Sequence, residues 1–401
     1  MEPTIQNLYK RYFHAFAKVN SYSYTMGHAA SRIMNCRTAC MGGHINSCPE
    51  GHVHQIAYNS CRHRSCPRCA WLPREQWLSR WKTRLLVCPH HHVIFTLPHD
   101  FNCLWRYNKI EFTNVLFQAV SETLAELLID PKYLGGRVGI LAALHTWNQT
   151  LQEHLHLHVL VTAGGLSGDG RWLALKKSCL LPRRVLMKKF RGKFKALLQA
   201  KITSGKMELP PRMSQETWSS TLRSVSAVDW NVKILARYQS GVGVATYLAR
   251  YLKGGPIGNS RLIAIDNESV TFRYRLGTHE GGDGTIQGET RLEVDQFIKR
   301  HLEHVPPHRL QTVRGYGLYS GNQHSRLSEA REALGLAQAS SENAPEAKRW
   351  QDVCEESDMG KSCRCPECGA KLITHSPFKA GRDPPTPMYL PPLPLKLTEA
   401  A

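Results

Sequence analysis

The sequence lacks a long apolar run and is poor in acidic side chains. No apolar stretch of the 401 residues approaches the ~18 residues that a membrane-spanning helix requires. The segment from Met1 to Lys10 lacks the charged and then apolar parts of a secretory signal, so we expect a cytoplasmic protein. The 32 Asp and Glu are outnumbered by 52 Lys and Arg, which gives a formal charge of +20. This excess indicates a polyanionic partner, nucleic acid before an anionic membrane surface.

A loop that binds nucleotide phosphates is also missing. Gly360-Lys361-Ser362 ends like such a loop, but Glu355 occupies the position of its first glycine. The 42% apolar and 21% charged residues are typical of a globular protein long enough for two or three modules. The sequence therefore predicts a globular nucleic-acid-binding protein without a sign of ATP-driven chemistry.

The periodicity of apolar residues predicts a mixture of helices and strands. Strands are predicted at 93–97, 139–145 and 153–161, with further alternating strands over 261–274. Helices are predicted at 109–128, 183–198, 242–252 and 292–304. Residues 336–350 have the composition of a linker, and the proline-rich segment 377–394 is predicted to be disordered.

The thirteen cysteines are clustered, and clustering in a reducing compartment favours metal thiolates over disulfides. Cys66-Pro67-Arg68-Cys69 has the spacing of a zinc knuckle, in which two thiolates of one turn face one tetrahedral ion. A second pair of ligands is needed, and Cys48 and Cys61 are the best candidates. The substitutes that the sequence offers are Cys36, His44, His52 and His54.

A similar turn occurs near the end of the chain. Cys365-Pro366-Glu367-Cys368 repeats the Cys-Pro-x-Cys pattern, with Cys363 and Cys354 in reach. Whether this turn holds a second zinc ion is left open by the sequence.

The stretch Glu153–Val161 carries a histidine pair on a predicted strand. Residues two apart on a strand point to the same side, so His156 and His158 share a face with Cα atoms roughly 6.6 Å apart. Two imidazoles at this spacing can bind one divalent ion. His145, Gln149 and His154 are possible third ligands, although His154 lies roughly 13 Å from His158 along the strand. The alternative interpretation is a histidine pair that packs without a metal.

The predicted helix at 242–252 carries two tyrosines four residues apart. Tyr247 and Tyr251 therefore lie on one helical face. A phenol next to a metal-bound DNA phosphate can attack it, which forms a 5′-phosphotyrosine ester and frees a 3′-OH. That ester keeps the bond energy, so a second strand can be joined without ATP. Taken alone, such a tyrosine pair is also compatible with simple core packing.

Basic residues next to aromatic ones suggest contacts with DNA phosphates and bases. Tryptophans alternate with arginines after the cysteine cluster, and a predicted helix at 183–198 has one basic face. The alternative is a solvated charged surface. The residues that we assign to DNA contact are Arg62, Arg64, Arg68, Lys188, Lys189, Arg250 and Lys253.

Together these motifs resemble the two-tyrosine HUH rolling-circle transposases of bacterial insertion sequences (insertion sequence 91 type). The resemblance covers roughly residues 10–320. Where family members often carry a second cysteine three residues after the one at Cys48, this chain has Gly51, followed by His52. Further supporting stretches are Cys36-Arg37-Thr38, Gly42-Gly43-His44, Tyr58-Asn59-Ser60-Cys61-Arg62, Leu144-His145-Thr146-Trp147 and Arg314-Gly315-Tyr316-Gly317-Leu318.

The resemblance implies an α+β fold with a ferredoxin-like antiparallel-sheet HUH nuclease core. Together with the composition, it predicts a helical zinc-binding and DNA-binding module at 1–88 and the nuclease domain at 89–330. The composition of residues 331–401 predicts a linker, a possible small cysteine knuckle and a proline-rich disordered tail. It makes His156 and His158 ligands of Mg²⁺ or Mn²⁺ and makes Tyr247 and Tyr251 the nucleophiles. In the zinc module, the ligands of Zn²⁺ would be Cys48, Cys61, Cys66 and Cys69, and His52, Cys36 and His44 are further possible ligands there. At the catalytic ion, His145 is a further possible ligand.

The implied activity is nicking and joining of single-stranded DNA at the hairpin ends of a mobile element. The implied partners are those ends, target DNA and a host helicase, with no membrane, in the bacterial cytoplasm at the nucleoid. A plasmid rolling-circle replication initiator would use the same chemistry. A zinc-dependent DNA-binding regulator, with structural His and Tyr pairs, is the non-catalytic alternative.

Overall fold

A computed structural model describes residues 2–175, 179–252, 254–278, 285–336, 364–375 and 377–379. In this part of the chain, none of the helices is long and apolar enough to cross a membrane. The helices are α1 Ile5–Val19, α2 Tyr24–Met34, α3 Trp71–Arg84, α4 Asn102–Tyr107, α5 Lys109–Ile129, α6 Arg183–Thr203, α7 Gln215–Ala227, α8 Gly241–Leu252, α9 Val294–Glu303 and α10 His324–Ala333.

The strands of the described residues form four antiparallel sheets, with the orders β12-β4-β5-β3-β8, β13-β1-β2, β11-β10-β9 and β6-β7. They are β1 Gly43–Ser47, β2 His54–Tyr58, β3 His90–Thr96, β4 Gly139–Trp147, β5 Glu153–Thr162, β6 Gly164–Leu166, β7 Trp172–Ala174, β8 Val232–Tyr238, β9 Leu262–Ile265, β10 Ser269–Thr278, β11 Thr285–Glu293, β12 Val313–Gly317 and β13 Ile373–Thr374.

The five-stranded sheet is the centre of the molecule. The succession β3-α5-β4-β5-α6-β8 is a βαββαβ unit, and its strand order β4-β5-β3-β8 is that of a ferredoxin-like fold. Strand β12 extends the sheet beside β4. The predicted α+β class with an antiparallel ferredoxin-like sheet is confirmed, and β5 is its middle strand.

The two faces of the central sheet have different partners because side chains alternate along each strand. Leu155, Leu157 and Val159 point to a large apolar core that also contains residues of α5 and α6. His156, His158 and Leu160 point to the opposite face, where Leu160 packs in a second cluster with Ala245 and Leu248 of α8. Helix α8 therefore covers the face that carries the histidines.

The N-terminal helices share a third core with elements from much later in the chain. Leu8 of α1 and Ile33 of α2 lie in one buried cluster with Phe272 of β10 and Phe297 of α9. Four cysteines of the N-terminal module belong to the same cluster. The predicted boundaries at 88/89 and 330/331 stay a prediction, and this packing crosses the first of them.

The small sheet β13-β1-β2 joins the two ends of the chain. Asn46 of β1 pairs with Thr374 of β13, and Ser47 pairs with Ile373. The C-terminal cysteine turn therefore lies next to the N-terminal hairpin. The predicted linker at 336–350 lies, except for Leu336, outside the described residues, as do Cys354, Cys363 and most of the predicted disordered tail.

Candidate metal centres and tyrosine helix

Two neighbouring strands bring three histidines together. In the register of β4 and β5, His145 lies directly opposite His156, and Ala143 lies opposite His158. One ring nitrogen from each of His145, His156 and His158 lies within 4.8 Å of the others, and all three residues are buried. The ring centroids of His145 and His158 are 4.2 Å apart, and those of His156 and His158 are 4.9 Å apart. One divalent ion can bind all three imidazoles at these separations after small side-chain rotations.

Hydrogen bonds orient two of these rings. Nδ1–H of His156 donates to the carbonyl oxygen of His154 at 2.8 Å, which leaves Nε2 as the ligand atom. Nδ1 of His158 lies 2.8 Å from Nε2 of His92 on β3. When His158 donates in this contact, its Nε2 keeps a lone pair for a metal. Such outer contacts are usual around metal-binding histidines.

The three rings are held in the neutral form that a metal requires. Burial lowers the pKa of His156 to about 4, and burial together with His156 and His92 lowers the pKa of His158 to about 2. Burial also lowers the pKa of His145 well below its ordinary value, with the other histidines adding to the effect. The imidazole lone pairs are therefore available at neutral pH.

The structure distinguishes the three candidates for the third ligand. His145 joins the pair. His154 instead approaches His99, with 3.4 Å between its Nδ1 and Nε2 of His99. Gln149 lies beside β10, where its Oε1 is 3.5 Å from the backbone nitrogen of Arg275. The choice depends on the register of β4 against β5, which sequence periodicity does not give.

The tyrosine helix lies over the histidine face of the sheet. Ala245 and Leu248 of α8 are buried against Leu141 of β4 and Leu160 of β5. The backbone at Tyr247 and Tyr251 is helical, as predicted, while the side chains of Tyr247, Arg250 and Tyr251 and the whole of Lys253 lie outside the described residues.

The end of α8 is fixed to the cysteine module. Gly254 follows the helix with φ +111°, a conformation that side chains disfavour, and its N–H donates to the carbonyl of Arg64 at 2.8 Å. A Cβ on Gly254 would lie 2.9 Å from Cβ of Ala70, so the helix end and the cysteine loop pack closely. The module thus touches the helix that carries the tyrosines.

The predicted zinc ligands divide between two clusters. Cys61, Cys66 and Cys69 are joined by Cys36, one of the substitutes for Cys48 that the sequence offers. The Sγ atoms of Cys36 and Cys69 are 3.3 Å apart, and those of Cys61 and Cys69 are 3.6 Å apart. Tetrahedral zinc with bonds of ~2.3 Å holds its sulfurs ~3.8 Å apart, so four buried thiols at these separations fit one zinc ion.

Cys48 lies in the second cluster, with His52, Cys365 and Cys368. His44, on β1, belongs to neither cluster, and partial burial lowers its pKa. The sequence signal for the second group was the repeated Cys-Pro-x-Cys turn. The sequence did not show its partners, because long-range contacts such as the pairing of β1 with β13 bring Cys48 next to Cys365 and Cys368.

The residues assigned to DNA contact have different surroundings. Arg62 is exposed, whereas Arg64 donates to the carbonyl of Leu310 and to Oγ1 of Thr312, both at 2.7 Å. Arg68 is exposed as well, but its guanidinium donates to Oε1 of Gln6. These contacts leave Arg62 as the arginine of this loop that is most open to a ligand.

Part of the basic face of α6 pairs with acidic side chains of α5. Lys189 forms an ion pair with Glu126 at 2.9 Å, and Lys188 is exposed. Helices α5 and α6 cover the side of the central sheet opposite to the histidines. A DNA phosphate at the histidine cluster would therefore lie across the sheet from Lys188 and Lys189.

Two family models match the sequence. One, described as "Putative transposase", matches residues 139–326, which include the three histidines and both tyrosines. The other, described as "Transposase zinc-binding domain", matches residues 6–97, which include the Cys36 cluster.

Two curated relatives cover most of the chain. "Putative transposase y4qJ" of Sinorhizobium fredii (strain NBRC 101917 / NGR234) is 34% identical over 393 residues, which are 96% of this chain and 97% of the relative. "Transposase for insertion sequence element IS801" of Pseudomonas savastanoi pv. phaseolicola is 28% identical over 354 residues, which are 86% of this chain and 82% of the relative. A solved structure of the conjugative relaxase TrwC in complex with oriT DNA aligns with 40% of this chain and 70% of its own, at 14% identity and a TM-score of 0.23.

Proposed function

The chain belongs to the insertion sequence 91 type family of transposases, and from this premise we propose that it nicks and rejoins single-stranded DNA at the ends of a mobile element. The reaction is rolling-circle transposition through 5′-phosphotyrosine intermediates. The observation that carries the proposal is the cluster of His145, His156 and His158 beneath the helix of Tyr247 and Tyr251.

The three histidines would hold a divalent ion, Mg²⁺ or Mn²⁺, that polarises the scissile phosphate when bound. Three imidazoles suit Mn²⁺ better than Mg²⁺, which prefers oxygen ligands. Neutral imidazole ligands would not cancel the positive charge of the bound ion. That charge would stabilise the negative charge that develops on the phosphate in the transition state.

One tyrosine hydroxyl attacks the phosphorus atom and forms a Tyr–O–P bond. The bond from phosphorus to the 3′-oxygen of the neighbouring nucleotide breaks, and the phenol proton leaves to that oxygen or to solvent. The products are a 5′-phosphotyrosine ester and a free 3′-OH. The reverse attack by a 3′-OH on this ester joins strands and restores the phenol, so no external energy source is required.

The cysteine module would bind the hairpin end and orient it for the tyrosine helix. Its support is the packing of the Arg62–Cys69 loop against the end of α8, together with the +20 charge of the whole chain. The further partners that we propose are target DNA and a host helicase, in the bacterial cytoplasm at the nucleoid.

Incubation with an end-labelled single-stranded hairpin oligonucleotide and Mn²⁺ or Mg²⁺ tests the proposal. We expect a protein–DNA adduct that survives denaturing electrophoresis, and we expect no adduct to form when a chelator is added in place of the divalent ion. A protein that retards the oligonucleotide but forms no adduct would be a DNA-binding regulator. The His154→Ala variant serves as the matched control, because His154 lies beside the cluster without belonging to it.

A further inference from the structure

The C-terminal segment of the chain is bound to the N-terminal hairpin. Backbone N–H groups of His375 and Phe378 donate to carbonyls of Ile45 and Gly43, at 2.9 and 2.8 Å. The ring of Phe378 meets that of Tyr58 edge to face, with 6.2 Å between the centroids. A Cβ on Gly43 would lie 2.6 Å from the carbonyl oxygen of Ala57 and 2.7 Å from the Phe378 ring, so both the hairpin and the Phe378 contact exclude a side chain here.

Apolar burial alone is weak in this small sheet. Among the described residues, the strands β1, β2 and β13 add no side chain to the three apolar clusters. Ile56 of β2 and Ile373 of β13 are each 44% exposed. Ile45 of β1 is buried, at 6% exposed, so this sheet has a small buried apolar face. Two or three short strands with so little apolar burial are marginal in water, so the contact between the N-terminal hairpin and the C-terminal segment requires another source of stability.

Four ligand-type side chains meet at the end of this sheet. The Sγ atom of Cys48 is 3.5 Å from Sγ of Cys368 and 3.7 Å from Nδ1 of His52. Together with Cys365, all four ligand atoms lie within 4.8 Å of one another. A disulfide would hold its sulfurs ~2.05 Å apart, whereas a tetrahedral zinc ion holds neighbouring ligand atoms ~3.6–3.8 Å apart.

The backbone is also arranged for thiolate ligands. The N–H of Glu50 points at Sγ of Cys48, at 3.3 Å. After Cys368 the chain turns at Gly369 with φ +73°, and the N–H of Gly369 donates to the carbonyl of Cys365 at 2.9 Å. The same Cys-Pro-x-Cys spacing supplies two thiols to the Cys36 cluster.

We propose that Cys48, His52, Cys365 and Cys368 bind a second zinc ion, which fastens the C-terminal segment to the N-terminal module. Three thiolates and one imidazole in tetrahedral array select zinc over Mg²⁺ or Mn²⁺. The ion links residues 320 positions apart, so it closes a long loop. The zinc-binding unit is then built from both ends of the chain, beyond the range 6–97 that the family model matches.

Selective alkylation of the full-length zinc-loaded chain tests this site. Cys368 and Cys103 are both exposed, so burial does not distinguish them. We expect iodoacetamide to modify Cys103 at least tenfold faster than Cys368, and we expect a chelator to remove the protection of Cys368 without affecting Cys103. Equal reactivity of the two cysteines before chelation would overturn the proposal.

Zinc content gives an independent measurement. The Cys365→Ser/Cys368→Ser variant is expected to lose one zinc ion per chain relative to the wild type in the same buffer, while Cys103→Ser loses none. It should also become sensitive to proteolysis within residues 364–379. An unchanged zinc content would overturn the proposal. If the double variant does not fold, the alkylation of the wild-type chain is the deciding measurement.

Discussion

At the scale of single residues, the histidine cluster depends on strand register as much as on strand periodicity. Alternation along β5 was enough to predict that His156 and His158 share a face. The contribution of His145 required its alignment with His156, which is set by the short connection between β4 and β5 and by a register shift between His145 and Trp147. The periodicity of a strand does not give this register, although a slip of β4 by one residue would turn His145 to the other face of the sheet, away from His156 and His158.

The first prediction concerns the third ligand. Replacing His145 by Ala should reduce nicking as severely as His156→Ala or His158→Ala, because each removes one of three ligands. Hairpin binding should be largely retained, since the metal acts on the transition state. Initial nicking rates at several Mn²⁺ concentrations measure this effect. If His145→Ala nicks normally and the control His154→Ala does not, the third ligand is His154 and the prediction is wrong.

The second prediction concerns His92, which contacts the proposed ligand His158 and does not belong to the histidine cluster. His92→Ala removes the contact with Nδ1 of His158 and should weaken metal affinity by about 10–100-fold, the usual effect of an outer partner. The Mn²⁺ concentration for half-maximal nicking should rise, and saturating Mn²⁺ should restore most of the rate. Loss of activity that no metal concentration restores would refute a role in positioning His158.

At the scale of elements, the long periodic segments were predictable and the contacts between distant segments were not. The helix predicted at 109–128 is α5 at Lys109–Ile129, and the strand predicted at 153–161 is β5 at Glu153–Thr162. Cys36 lies beside Cys61 because of how the end of α2 packs. Cys48 lies beside Cys365 because β1 pairs with β13. Local patterns carry no information on such long-range pairings.

The third prediction concerns the cysteine module. Cys66→Ser and Cys69→Ser should each lower zinc content, because each removes a ligand from the Cys36 cluster. DNA affinity should fall as well, since Cys61, Cys66 and Cys69 flank the arginines of the Arg62–Cys69 loop, in which the carbonyl of Arg64 accepts from Gly254 at the end of α8. Metal analysis and binding titrations measure the two effects, with Cys179→Ser as a control at an exposed cysteine. Full zinc content in both variants would contradict the assignment.

At the scale of the whole molecule, our proposal places DNA on the side of the central sheet that carries the histidines and the tyrosine helix. The +20 charge is spread over the chain, but the loop at Arg62 adjoins the end of the tyrosine helix, whereas Lys188 lies on the other side of the central sheet. The net charge therefore predicted the partner class correctly. It did not say which basic residues face that partner.

The fourth prediction is a steep dependence of DNA affinity on salt. Phosphate contacts release counterions, so the logarithm of the binding constant should fall linearly with the logarithm of salt concentration, by about 0.7 per phosphate for a single strand. Arg62→Gln should reduce this slope by about 0.7, while Lys188→Gln should leave it unchanged. If the wild-type affinity stays constant between low and physiological salt, contacts between basic side chains and DNA phosphates do not dominate binding, and the prediction is wrong.

The central claim is that Tyr247 and Tyr251 are the nucleophiles, and peptide mapping of the covalent adduct tests it most directly. The wild-type chain, incubated with a single-stranded hairpin and Mn²⁺, should carry a nucleotide on one of these two tyrosines. Each single Tyr→Phe variant should lose strand exchange, because one phenol must hold the first strand while the other opens the second. The Tyr247→Phe/Tyr251→Phe variant conserves the apolar rings and should bind the hairpin but form no adduct. An adduct that persists in this double variant would place the nucleophile elsewhere and contradict the account.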